Sequence, residues 1–305
     1  MALTELFVLH AIRLSGPIDF TELQNGRVMA GSDIFRGRSA GEIDPLFTAI
    51  REQKAGFEAE SMEIKRVLDA IGIDGLAISS VATMYLKQVA QKGTRTAAAS
   101  SAHTTLGINS GMICWNRIQA QHNEPATVSL QVAAIYNGTN DPIVGTNDTT
   151  LSGTPAADQF WTCGPISLNG TTYAGIQSMS LDLGIDLFWR GADGEAWPTF
   201  VAIRQRDPVL EFTTIDPKAW GLYSLNGVAL SSGAAYLRKF ANNADRVAVA
   251  TEEHIGFTLP ATGLIHATQT DSGENNEATT TVRVELNRAD GSTPPIAYDT
   301  TAAIA

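Results

Sequence analysis

The chain has 305 residues, of which 44% are hydrophobic and 17% charged, and its formal net charge is −11. At roughly 150 residues per domain the length predicts about two domains, each large enough for its own core, and the composition excludes a long disordered tail. The acidic balance, heavier in the second half, excludes tight nucleic-acid binding, which needs Lys and Arg against phosphates, but not DNA passing nearby.

At the start, the apolar run LFVLHAI after Glu5 is too short to span a membrane and has no basic segment before it. No signal peptide and no membrane partner are expected. SGPIDFTELQN then aligns loosely with LNGTTYAGIQS much further on, and DIFRGRSAGE from Asp33 aligns with DLFWRGADGE from Asp186. The next segment, GEIDPLFTAIR from Gly41, recurs as GEAWPTFVAIR from Gly194 with seven of eleven positions identical. In the second copy Ser178 to Trp189 predicts one strand. A turn over Gly191 to Gly194 follows, and then strands TFVAIRQR and PVLEFTT, with Pro45 and Pro198 opening the second strand.

Ile64, Val67, Leu68 and Ile71 follow at helical spacing, with Ser61 as expected N-cap and Gly72 just past the end. The counterpart has Asp216 as cap, Pro217 at the first helical position, and Trp220 and Tyr223 as expected buried face. Then GLAISS from Gly75 meets GVALSS from Gly227. YLKQVAQKGTR from Tyr85 meets YLRKFANNADR from Tyr236, which runs on into VAVAT and is expected as strand. His103 falls on His254, and SGMI from Ser110 on TGLI from Thr262. EPATVSLQV from Glu124 covers NEATTTVRV from Asn276, Pro142-Ile143 covers Pro295-Ile296, and Asp148-Thr149-Thr150 covers Asp299-Thr300-Thr301. HIGFTLPATGLIHATQT and ATTTVRVEL alternate as strands.

A similarity that holds register over nearly the whole chain implies a tandem duplication. The expected division is a first repeat at 1–152, a linker at 153–159 and a second repeat at 160–305. The expected fold class is mainly β: two tandem β-sandwich or half-barrel domains of seven or eight strands, each with one flanking α-helix.

A search for chemistry gives little. No phosphate loop, dinucleotide fingerprint, nucleophile elbow or zinc helix is present, so no catalytic residue, cofactor or metal is expected. Gly-Thr-Asn-Asp at 138–141 and 145–148 lacks a calcium-loop spacing and is expected as turns. Cys114 and Cys163 have no metal spacing and are expected as free thiols. His103 and His254 are expected to share a structural hydrogen bond, and Glu42 and Glu195 to be solvated turn residues. The cluster Lys87, Lys92 and Arg95 recurs as Arg238, Lys239 and Arg246, a basic face or a contact to an acidic neighbouring subunit. Arg36, Arg38, Arg190 and the two turn glutamates complete the candidate inter-subunit contacts.

The order carried by Gly170–Ser178, Gly194–Phe200 and Pro208–Thr213, followed by a capped helix and strands, resembles the major tail-tube proteins of long-tailed bacteriophages. The first repeat carries it less cleanly, with Ala55 in the place of Pro208. The resemblance implies a β-sandwich with a flanking helix, rings that stack into a tube, and a lumen that conducts viral DNA without specific binding. For a duplicated chain it implies homotrimeric rings of pseudo-sixfold symmetry, other tail proteins as partners, and a place in the virion tail after assembly in host cytoplasm. The turns at 36–44 and 190–197 are the expected stacking loops. Another virion component, such as a capsid decoration or tail-tip protein, and a cellular β-sandwich binding module remain as alternatives.

Overall fold

The structure is a computed structural model, and it describes residues 6–14, 19–79, 82–90, 93–151, 160–192, 194–240, 246–273, 276–288 and 294–304. The expected linker and Lys92 lie outside the described residues. The first half holds β1 (Leu6–Arg13), β2 (Asp19–Phe20), β3 (Leu23–Met29), β4 (Ser32–Gly37), β5 (Phe47–Gln53), β6 (Gly56–Ser61), α1 (Ile64–Ile71), β7 (Leu76–Ile78), β8 (Ala82–Val89), β9 (His103–Ile108), β10 (Gly111–Gln121), β11 (Thr127–Ala134) and β12 (Ile143–Thr149). The second holds β13 (Trp161–Leu168), β14 (Thr171–Tyr173), β15 (Ile176–Asp182), β16 (Asp186–Arg190), β17 (Phe200–Gln205), β18 (Val209–Thr214), a 3-10 helix (Pro217–Leu222), β19 (Val228–Ala229), β20 (Gly233–Lys239), β21 (His254–Leu259), β22 (Gly263–Gly273), β23 (Asn276–Leu286) and β24 (Ala297–Ala302). The fold is mainly β and antiparallel.

Two five-stranded sheets share one strand order, β12-β9-β8-β1-β2 and β24-β21-β20-β13-β14. One ten-stranded sheet runs through both halves as β19-β22-β23-β18-β15-β10-β11-β6-β3, with β7 also on β10. Its two sections correspond strand for strand and meet where β15 pairs with β10. The irregularities correspond as well. The β10/β11 ladder shifts between Trp115 and Arg117, and β22/β23 between Ala267 and Gln269. The β3/β6 ladder shifts after Leu23, and β15/β18 after Ile176.

Alternation builds the core. Phe57, Trp115, Val128 and Leu130 from the large sheet share one apolar cluster with Ile12, Phe20, Met84 and Ile108 of the first small sheet. Phe212, Val282 and Val284 do the same with Ile166, Ala235 and Phe257. The opposite face of the large sheet is polar, as expected for a sheet with one side in water.

Several elements differ from their sequence expectation. Residues 178–189 form two strands, because the chain turns at Gly184, whose φ of +55° suits glycine; a Cβ there would sit 2.5 Å from the Asp207 carbonyl. Gly31, at the matching place, has φ +58° and meets the Lys54 carbonyl in the same way. The second helix is 3-10, not α. It buries Ala219 and Leu222, while Trp220 and Tyr223 are 55% and 50% exposed. Ser61 is not the N-cap of α1: Glu63 is, and the Ser61 hydroxyl accepts from the Glu63 N–H at 3.1 Å. Gly72 does close α1, its N–H bonding the Leu68 carbonyl.

The strand after Tyr236 ends at Lys239, and residues 247–250 are not strand. The strands begin two residues after Pro45 and Pro198. The motif at 145–148 lies on β12 rather than in a turn, whereas Asn137 caps a turn by accepting from the N–H groups of Thr139 and Asn140. Finally, β24 pairs Asp299 with Gly256 where β12 pairs Thr146 with Thr105. Asp148 therefore corresponds to Thr301, two residues off the sequence alignment.

Candidate functional site

The halves meet in a joint of backbone and side-chain bonds. Arg117 to Gln121 of β10 face Asp182 to Ser178 of β15. The seam continues with the His122 N–H to the Gln177 carbonyl at 2.8 Å, Ala126 N–H to Trp161 carbonyl at 2.7 Å and Leu183 N–H to Asn116 carbonyl at 2.7 Å. Arg206 reaches Asp74 at 2.8 Å and Arg246 reaches Asn123 at 2.7 Å. Helix α1 is roofed by β24: Tyr298 donates to the Leu68 carbonyl at 2.9 Å, and Lys65 donates to the Thr300 hydroxyl at 2.8 Å.

Both sides of this joint recur elsewhere in the large sheet without a partner strand among the described residues. Among the described residues, β3 pairs with β6 alone, and the segment 266–273 of β22 pairs with β23 alone. β3 corresponds to β15, and residues 269–273 correspond to the segment 117–121 that β15 covers. A sheet edge of this kind offers unpaired backbone donors and acceptors. By the register of the joint, Gln269, Asp271 and Gly273 take the places of Arg117, Gln119 and Gln121, and Met29, Arg27 and Asn25 those of Asp182, Ser180 and Ser178.

The candidate contact residues divide into two groups. Arg36, Arg38 and Glu42 are exposed on the β4–β5 hairpin, and Arg190 and Glu195 on the β16–β17 hairpin. The two tips have one geometry. Glu42 N–H bonds Ser39 and Glu195 N–H bonds Ala192, both at 3.1 Å, and each hairpin is crossed by an ion pair, Arg51–Asp33 and Arg204–Asp186. Three of the second group are engaged within the chain. Arg238 bonds the Val247 carbonyl at 3.1 Å, Lys239 pairs with Glu253 at 2.7 Å, and Arg246 lies 3.6 Å over the Phe240 ring. Burial pushes the Arg246 guanidinium below its ordinary value, and Arg238 adds repulsion. Lys87 is half-buried on β8 and Arg95 exposed beyond it.

His103 and His254 are fully buried and hold one arrangement twice. Nδ1 accepts from the N–H of Gln88 or Lys239, at 3.0 and 3.1 Å, and Nε2 meets the carbonyl of Ala97 or Ala248 at 3.0 Å. An acceptor Nδ1 places the proton of a neutral ring on Nε2. Each ring ties a strand to the loop that follows it. Cys114 and Cys163 are free and buried, and burial pushes each thiol up to about 11.

The polar face of the large sheet leaves no local pattern in the sequence, because its residues are scattered along the chain. Pairing collects Glu58, Glu60, Asp182, Glu211 and Glu285 there, against Arg27, Arg117 and Arg283. Arg283 is paired with Glu285 at 2.6 Å and Arg117 bonds Ser180 at 2.8 Å. Among the described residues no helix is long and apolar enough to cross a membrane, and no three His, Cys, Asp or Glu side chains converge as metal ligands. A scan against protein-family models matches no family, and a search of curated proteins finds no match.

Proposed function

We propose that the chain is a non-enzymatic structural protein of a bacteriophage tail tube. Two fused copies of one domain supply a third of each ring. The observation that carries this reading is that the joint between the halves is a sheet continuation whose two sides recur, with no partner strand among the described residues, at opposite ends of the same sheet. A heterologous contact of this kind, repeated by rotation, closes a ring. Arg27 opposite Asp271 gives the contact between chains a charge pairing where the internal joint has Ser180 opposite Gln119.

The polar face of the large sheet lines the lumen in this reading. Its carboxylates outnumber its guanidiniums, and two of the arginines are held by the protein itself, so DNA phosphates slide rather than bind. Rings stack along the tube axis, and the site of action is the virion tail. Electron microscopy of the purified protein at rising concentration tests the proposal. Rings and hollow tubes are expected, and a protein that stays monomeric and is missing from tubular particles contradicts it.

A further inference from the structure

We propose that the tip of the β4–β5 hairpin of one copy seats in a cavity of the second half of the next copy within a ring, an inference that rests on the ring reading above. The cavity has a volume of about 430 Å³ and is lined by Arg206, Asp207, Pro208, Glu285, Asn287 and Arg288, among others. The matching place in the first half is filled. There the tip of the β16–β17 hairpin docks, its Ala196 carbonyl accepting from Gln53 N–H and its Pro198 carbonyl from Tyr136 N–H, both at 2.8 Å. By the strand correspondence Gln53 matches Arg206, Tyr136 matches Arg288, and the docked Ala196 and Pro198 match Ile43 and Pro45.

The β4–β5 tip has the character of a surface awaiting cover. Ile43 is 86% exposed and Leu46 68% exposed, beside exposed Phe47. An apolar cluster of this kind on an outlying hairpin marks a contact surface. The charges change together. Trp197, between the two docked carbonyls, matches Asp44, while Gln53 and Tyr136, which bond those carbonyls, match Arg206 and Arg288. Arg206 also pairs with Asp74 at 2.8 Å, which fixes its guanidinium beside the cavity that it lines. Complementary charge at the ends but not in the middle steers the free tip to the free cavity.

Disulfide trapping tests the seat. With Pro45→Cys and Arg288→Cys in one chain, oxidation of the assembled protein is expected to give covalent dimers and trimers and nothing longer. Tyr136→Cys with Pro198→Cys serves as the internal control, closing a bond within each chain by the same geometry. If the control closes and tubes form but the first pair stays reduced, the seat is wrong and the tube reading stands. Covalent ladders beyond three chains place the tip between rings and overturn the proposal too. If the unaltered protein forms no ring, both readings fail together. Charge exchange gives a second readout without thiols. Asp44→Arg is expected to lower the assembled fraction about tenfold at low salt, and Arg288→Asp added to it to recover assembly; no recovery counts against the seat.

Discussion

At the scale of single residues, the two buried histidines are the clearest structural devices. Truncation of His103 leaves the Gln88 N–H and the Ala97 carbonyl without their ring partner. His103→Ala is expected to cost about 2–4 kcal/mol in urea unfolding, as is His254→Ala, and the two effects should add because the rings sit in separate sheets. Glu63 offers a test by pH. Burial raises its carboxyl above the ordinary value, opposed by the Thr21 N–H and by Arg66. A raised folded value means that the native state holds the proton more tightly than the unfolded one. The favourable contribution is therefore complete below the unfolded value and lost as pH rises through the folded one. Glu63→Gln is then expected to gain on the parent protein as pH climbs from the ordinary carboxylate value, about 4, through the raised folded one. A stability difference that shrinks over that range would contradict the assignment. The two thiols, pushed up to about 11 by burial, should resist a thiol reagent until the chain unfolds.

At the scale of elements, helix α1 and its counterpart show what was legible in the sequence and what was not. The spacing of Ile64, Val67, Leu68 and Ile71 identified the buried face of α1, and all four are buried. Asp216 and Pro217 correctly marked a helix start, with Asp216 accepting from Lys218 N–H at 3.0 Å. Cap signals do not set helix type or rotation, however, so the inward face that they suggest for Trp220 and Tyr223 in fact lies outward. Leu68→Ala is expected to cost about 2–5 kcal/mol, whereas Trp220→Ala should leave monomer stability within about 0.5 kcal/mol, both by denaturant melts. The strand at 178–189 was over-extended because its alternation continues past Gly184, whose backbone turn depends on contact with Asp207, distant in sequence. The β10–β15 seam left no mark, since backbone bonds carry it and the outward side chains of both strands are as polar as any half-exposed strand.

At the scale of the whole molecule, the repeated segment GEIDPLFTAIR and GEAWPTFVAIR foretold two hairpins of one geometry, and the matching strand orders and bulges supply their setting. The sequence could not reveal that one hairpin tip is docked within the chain and the other is bare, because that difference depends on which edge the second half covers. Assembly by the bare edges makes two predictions. Arg27→Glu, exposed on β3, should prevent association, and Asp271→Arg should restore association when combined with it; sedimentation velocity reads both. The most direct measurement is the mass of the smallest closed assembly by native mass spectrometry. For the tube reading proposed above, that mass is three times the 32.5 kDa chain. A ring of six chains, or a monomer at every concentration, would contradict it.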